Sequence, residues 1–360
     1  MKIKVALLDI DQAYLNRITN VLEGRYSNKL EIYCFTDPEK AIASLTASGI
    51  NVFLASTTYE ISTKNIPQQC GFAYLTESQD AEIYNNQKAI SKFQKVDLFY
   101  SSILAVCSDI GSENITSSTH PADQYTPLYV FTSASGGVGT SSVAVACAIS
   151  VARRGKKPLY LNLENFGTSN IYFHSESQND LRDVFIALKS GKANVALKLE
   201  SCVQRDGTGV FYISSPKNAL DVCNLTADDI ESLLVLCRQS GLFDCIVVDI
   251  NYSGCSKEIA AIKYAKSVVF VSDGSELSNN KFTRAYDSMA VLTQQNSISL
   301  LGRLVVFYNK FSNKSGKHID IAGLRVIGGA PRYEQTTAER IIQNLADNEA
   351  FVELDSSEVK

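Results

Sequence analysis

Leu128-Tyr129-Val130-Phe131-Thr132-Ser133-Ala134-Ser135-Gly136-Gly137-Val138-Gly139-Thr140-Ser141-Ser142 joins a buried-strand pattern to a glycine-rich loop, and Val143 to Val151 continues it as an apolar helix. Strand, glycine-rich turn and helix is the context in which such a loop holds phosphate. Glycines let several backbone N–H groups converge on one anion. The helix adds the positive end of its dipole. Ser141 places a hydroxyl where Mg²⁺ needs one. The common lysine-bearing pattern GxxxxGK[ST] is not met, because Thr140 stands at the lysine position. A tight strand–helix turn of small residues is the competing reading.

Two blocks of alternating strand and helix patterns flank a polar linker, Ser108 to Pro127. The linker is rich in Ser, Thr, Asn and Asp and shows no sustained apolar period. The spacing therefore predicts domains over 1–107 and 128–360. In the first block, strands are expected at Lys4–Asp9, Leu30–Phe35, Asn51–Ala55 and Gly71–Leu75, with a weak fifth at Ala89-Ile90. Asp37-Pro38-Glu39 is a helix start. Five strands alternating with helices make a small doubly wound α/β domain. In the second block, Phe243 to Asp249 is an apolar strand ending in a carboxylate. Ser267–Ser272 and Leu304–Lys310 are further buried strands.

The chain has 360 residues and a net charge of −4. Residues 1–125 hold 10 Lys+Arg against 14 Asp+Glu, so 24 of each remain for 126–360. A dominant nucleic-acid footprint is not expected from that balance. Lys192, Lys198 and Arg205 form a sparse basic scatter that reads as solvated surface. Nine single Cys without a CxxC pair disfavour zinc and read as buried thiols in a reducing compartment. No apolar run approaches a membrane span, and Met1-Lys2-Ile3-Lys4 does not read as a signal peptide. The expectation is a soluble, cytoplasmic protein.

The first block resembles a response-regulator receiver domain, a flavodoxin-like fold. Asp9 and Asp11 match its acidic pair, Thr76 its switch residue and Lys92 its lysine, but Ser56 stands where its phosphoacceptor aspartate should be. The resemblance implies a pseudo-receiver used in protein contact. The second block resembles the deviant Walker A box of ParA/MinD (SIMIBI) P-loop ATPases. Ser135 replaces that family's signature lysine and Thr140 its P-loop lysine, while Ser141 and Ser142 keep the hydroxyls. Asn162 and Glu164 stand at its two acidic positions, and Asp249 at its Walker B aspartate. Asn309 matches its adenine-contacting asparagine, and Pro331 and Arg332 fall in its base-flanking loop.

Receiver-like plus ParA/MinD-like order resembles the TadZ/CpaE family of tight-adherence (Flp, type IVb) pilus-assembly proteins. The resemblance implies ATP and Mg²⁺ as ligands, held by Ser135 to Ser142, Asn309, Pro331 and Arg332, with Ser141 and Asp249 on the metal. Glu164 and Asp249 are the catalytic candidates. It implies a homodimer that meets other pilus or secretion components, binds no specific nucleic acid and reaches a pole or inner membrane through partners. The acidic end, Ala346 to Asp355, opposes direct binding to anionic lipid. Loss of both lysines predicts ATP binding with little hydrolysis. An active partition or division-site ATPase and a receiver-controlled signalling protein are the alternatives.

Overall fold

The structure, a computed structural model, describes residues 2–78, 81–110, 125–174, 177–191, 194–296 and 300–356. Most of the expected linker, 111–124, and Lys192 of the basic scatter lie outside the described residues. The chain divides into two compact α/β units.

The first unit contains β1 (Ile3–Leu8), α1 (Gln12–Tyr26), β2 (Leu30–Phe35), α2 (Pro38–Ala47), β3 (Val52–Ser56), β4 (Gly71–Thr76), β5 (Ile83–Tyr84), β6 (Gln87–Ser91) and α3 (Val96–Ser108). Its sheet runs β2-β1-β3-β4-β6-β5, parallel except for β5. The register pairs Val5 with Val52 and Leu7 with Leu54, so alternate residues feed the two faces. Asp11 caps α1 and Asp37 caps α2, each carboxylate accepting two backbone N–H bonds. The strict alternation of strands with helices is not kept. Between β3 and β4 there is one 3₁₀ turn at Thr63–Asn65. Between β4 and β6 the chain makes a hairpin arm turning at Asn85 and Asn86, both at positive φ. Asn tolerates that conformation, which a two-residue hairpin turn demands.

The second sheet is built from β7 (Leu128–Thr132), β8 (Pro158–Asn162), β9 (Val203–Arg205), β10 (Phe211–Ile213), β11 (Cys245–Asp249), β12 (Ser267–Ser272), β13 (Leu304–Phe311) and β14 (Arg325–Pro331). The helices are α4 (Thr140–Arg153), α5 (Leu181–Ser190), α6 (Val195–Cys202), α7 (Leu220–Cys223), α8 (Ala227–Gln239), α9 (Ser256–Lys263), α10 (Glu276–Asn296), α11 (Ala338–Ala346) and α12 (Ala350–Ser356). The strand order is β14-β13-β12-β7-β11-β8-β10-β9, parallel save for β9. From β7 the chain winds first to one side and later to the other. The carboxyl end of β7 is therefore the switch point where open α/β sheets bind ligands. Helix α4 starts there, and every residue from Val143 to Val151 is buried. That explains its continuous apolar run. Phe351 of α12 stacks on Phe307, and Leu354 is buried beside it. The apolar face of α12 is thus spent on its own core.

Asp183–Cys202 groups with the first unit, although it follows β8 in sequence. Leu197 joins the core beneath α1 and α3. Glu200 accepts from Lys29 Nζ at 3.2 Å and Tyr100 OH at 3.0 Å. Lys198 is not the solvated cation expected from sequence: it is buried and pairs with Asp109 at 2.8 Å. Cys70, Cys107, Cys147, Cys202, Cys237 and Cys245 are buried thiols, whereas Cys34 and Cys255 are exposed.

Candidate functional site: a glycine loop without lysine

The loop after β7 opens on a serine turn. Ser133 Oγ accepts from Ser135 N at 3.0 Å and donates to Ser135 O at 2.9 Å. Gly137 and Gly139 then adopt φ of +77° and +87°, conformations that L side chains rarely take. Gly139 also caps α4, and a Cβ there would stand 2.5 Å from Asn309 Nδ2. The first N–H groups of α4 lack intrahelical acceptors by construction. They face a cavity of about 350 Å³, within the range of small-molecule sites.

Ser135, Gly136, Gly137, Gly139, Thr140, Ser141 and Ser142 line this cavity with Glu164, while Val138 points into the core. Ser141 Oγ donates to Glu164 Oε2 at 3.1 Å, and Asn251 Nδ2 donates to Glu164 Oε1 at 3.2 Å. Asp249 lies beneath, fully buried at the end of β11. Its Oδ2 accepts from Tyr160 OH at 2.8 Å and Asn162 Nδ2 at 3.4 Å. Burial, then the charge of Glu164, push its carboxyl up to about 7. Asp249 Oδ1 and Ser135 Oγ are buried without a hydrogen-bond partner. Ser141 is the serine beside the Asp249 carboxyl, and a carboxylate oxygen with a serine hydroxyl is an oxygen donor set that suits Mg²⁺, which keeps most of its shell as water and phosphate. The residues present therefore fit a magnesium nucleotide.

Asn309 lies behind the loop, where its Nδ2 donates to Val138 O at 2.8 Å. Lys310 Nζ donates to Gly137 O at 2.7 Å. Pro331 and Arg332 sit exposed at the end of β14, and neither lines the loop cavity. Sequence reasoning did not single out Tyr172, Asn251 or Tyr252, which complete the wall. Burial and then the Asp249 carboxylate raise the Tyr172 phenol, with the Ser141 and Ser142 hydroxyls acting in the opposite sense. The segment after Asp249 is held by Glu258, which accepts from the backbone N–H of Ser253, Gly254 and Cys255.

In the first unit, the residues at the expected receiver pocket form a closed cluster. Lys92 Nζ lies 2.6 Å from Asp9 Oδ2 and 3.2 Å from Ser56 Oγ, and all three residues are buried. Thr58 Oγ1 donates to Ser56 Oγ at 3.0 Å. Asp11 is used as a helix cap and Thr76 Oγ1 accepts from Ser78 N. Position 56 offers no carboxylate to form an acyl phosphate. Breaking a buried ion pair by removing one partner costs about 3–5 kcal/mol. Lys92→Met is thus expected to lower the unfolding free energy of the first unit by an amount of that order, read as a fall in its urea midpoint. An unchanged midpoint would show that the pair contributes nothing.

Residues 1–108 match the family model described as TadZ-like, receiver domain. Over these residues the chain is similar to that family's receiver domain. Solved structures similar to the chain include a ParA family ATPase from Chlorobium tepidum (19% identity, 65% of this chain and 95% of that chain, TM-score 0.47). Another is the MinC:MinD cell division complex of Aquifex aeolicus (17%, 65% and 98%, TM-score 0.49). A third is cobyrinic acid a,c-diamide synthase from Mycobacterium smegmatis with bound ADP and magnesium (12%, 64% and 96%, TM-score 0.47). No curated protein matches the chain. Among the described residues no helix is long and apolar enough to cross a membrane.

Proposed function

We propose that the protein binds ATP·Mg²⁺ with little hydrolysis and acts as an assembly and localisation factor of a tight-adherence pilus secretion machinery. One observation carries the nucleotide reading: a glycine loop at a sheet switch point, with unpartnered Ser135 Oγ and Asp249 Oδ1, and, among the described residues, no Lys or Arg lining its cavity. Backbone N–H groups, the α4 dipole and Mg²⁺ remain to hold the triphosphate in its ground state. Charge neutralisation in the transition state is what the missing cations would have supplied. The pilus role is supported by the TadZ-like receiver domain.

In this reading ATP is a structural ligand. A ligand that binds only the folded or dimeric state stabilises it without turnover. Exposed Phe166 and Ile171, in the segment between Glu164 and Tyr172, offer apolar surface for a second copy. Pole or inner-membrane recruitment would follow from protein partners.

The test is to extract the nucleotide from purified protein, identify it, and measure mass in solution with and without ATP·Mg²⁺. Bound adenine nucleotide and a larger species with ATP are expected. A monomer in every condition with no nucleotide would overturn the proposal. Acetyl phosphate is expected to leave the N-terminal domain unlabelled, which separates this reading from receiver-controlled signalling.

A further inference from the structure

The cavity contains Glu164, has the buried Asp249 near it, and among the described residues is lined by no basic side chain. A triphosphate would enter a site of its own sign. Among the described residues one cation nevertheless bonds to the loop, and it comes from a different strand. Lys310 Nζ donates to Gly137 O at 2.7 Å, and its Cε lies 3.6 Å from where a Cβ on Gly139 would sit. Among the described residues no carboxylate pairs with Lys310.

The backbone is shaped to put it there. Lys310 has φ of +57°, uncommon for a residue with a side chain. The β13–β14 register slips between Tyr308 and Phe311, around this residue. Irregularities of this kind re-aim side chains beside binding sites. Strain of this kind persists only where the surroundings enforce it. Here the neighbouring Asn309 is tied to Val138 O, so two adjacent residues grip two adjacent loop carbonyls.

We propose that Lys310 supplies, from the end of β13, the positive charge that the phosphate loop lacks at Ser135 and Thr140. The ammonium stands on the carbonyl side of the loop and acts on the polyphosphate through the field across it. It raises ground-state affinity, and at that position it does not bridge the transferring group. The inference rests on the nucleotide reading above and names the residue that makes such binding possible without a loop lysine.

The test is calorimetric titration with adenosine, AMP, ADP and ATP, each with Mg²⁺, against wild type, Lys310→Met and Lys310→Arg. A charge at about one loop width in a half-buried site is expected to change ATP affinity about tenfold. The loss in Lys310→Met should grow from AMP to ATP and vanish for adenosine, with Lys310→Arg retaining most of the affinity. Raising salt should weaken ATP binding to wild type more than to Lys310→Met. Equal loss across the four ligands would assign Lys310 a purely structural clasp and overturn the proposal, as would no loss at all. Wild type that binds none of the four would overturn the nucleotide reading itself, which is a different result.

Discussion

Withdrawing Mg²⁺ is expected to weaken ATP binding about 100-fold or more, a larger metal dependence than a lysine-bearing loop would show. The cavity has Glu164 in its wall and, among the described residues, no basic side chain lines it; the buried Asp249 lies close enough to feel the Glu164 charge. Two like charges about 5 Å apart repel by about 3 kcal/mol at an effective dielectric near 20, and about 1.4 kcal/mol is tenfold in affinity. Lys310 stands behind the loop, so Mg²⁺ is the cation that would meet the phosphates inside the cavity. Titration in EDTA and in excess Mg²⁺ checks this, and equal affinities would refute it.

The same site predicts a pH dependence. The Asp249 carboxyl is pushed up to about 7 by burial and then by Glu164. Below that pH it is protonated and a poor ligand. Mg²⁺ affinity should therefore fall about tenfold per unit below pH 7 and level off above it. The stability consequence has the opposite sense for the metal-free protein. With a folded value near 7 and an unfolded value of about 3.9, the folded state binds more protons between those pH values. This group's contribution to stability is then fully present below about pH 4 and lost as pH rises to 7. Other groups titrate in the same window, so the informative quantity is the difference in Tm between wild type and Asp249→Asn. That difference should shift against wild type from pH 5 to 8 in EDTA, and Mg²⁺ should cancel the shift. A pH-independent difference would show that Asp249 ionises normally.

Much of this architecture is legible in the sequence because it follows from strong local rules. Apolar runs of five or six residues become buried parallel strands. Asp11 and Asp37 cap helices because their carboxylates fit the first free N–H groups. Gly137 and Gly139 mark positive φ where the chain must turn into α4. What stays hidden depends on tertiary placement. Nothing in Val195–Cys202 says that the helix packs under α3 of the first unit, because an amphipathic helix does not name its acceptor surface. Lys198 reads as surface until Asp109 is brought to it. Tyr172 and Tyr252 reach the cavity through loop paths without periodicity. Asn251, two residues past Asp249, was the one missed wall residue with a usable positional signal. Asn309 was visible as a strand-end residue, yet in the structure its amide serves the loop backbone, and the residue after it carries the charge.

Restoring the loop lysine is the most direct way to separate binding from turnover. Thr140 is the first residue of α4 and lines the cavity beside Ser141 and Glu164. A lysine there would place an ammonium inside the loop, where Lys310 stands only behind it. It would face the charge that develops on the transferring phosphoryl group, and one well-placed donor of this kind is worth about 10²–10³ in rate. Thr140→Lys is therefore expected to raise ATP hydrolysis by about 100-fold over a barely measurable wild type, with a smaller gain in affinity because Mg²⁺ already offsets part of the ground-state charge. Single-turnover hydrolysis measured beside equilibrium binding distinguishes the two effects. A gain in affinity with unchanged turnover would mean that other catalytic parts, Asn162 in place of a carboxylate foremost, are also missing. A wild type that already turns over at the rate of its lysine variant would show that the loop needs no lysine at all, and the reading of this domain as a structural ATP site would fall.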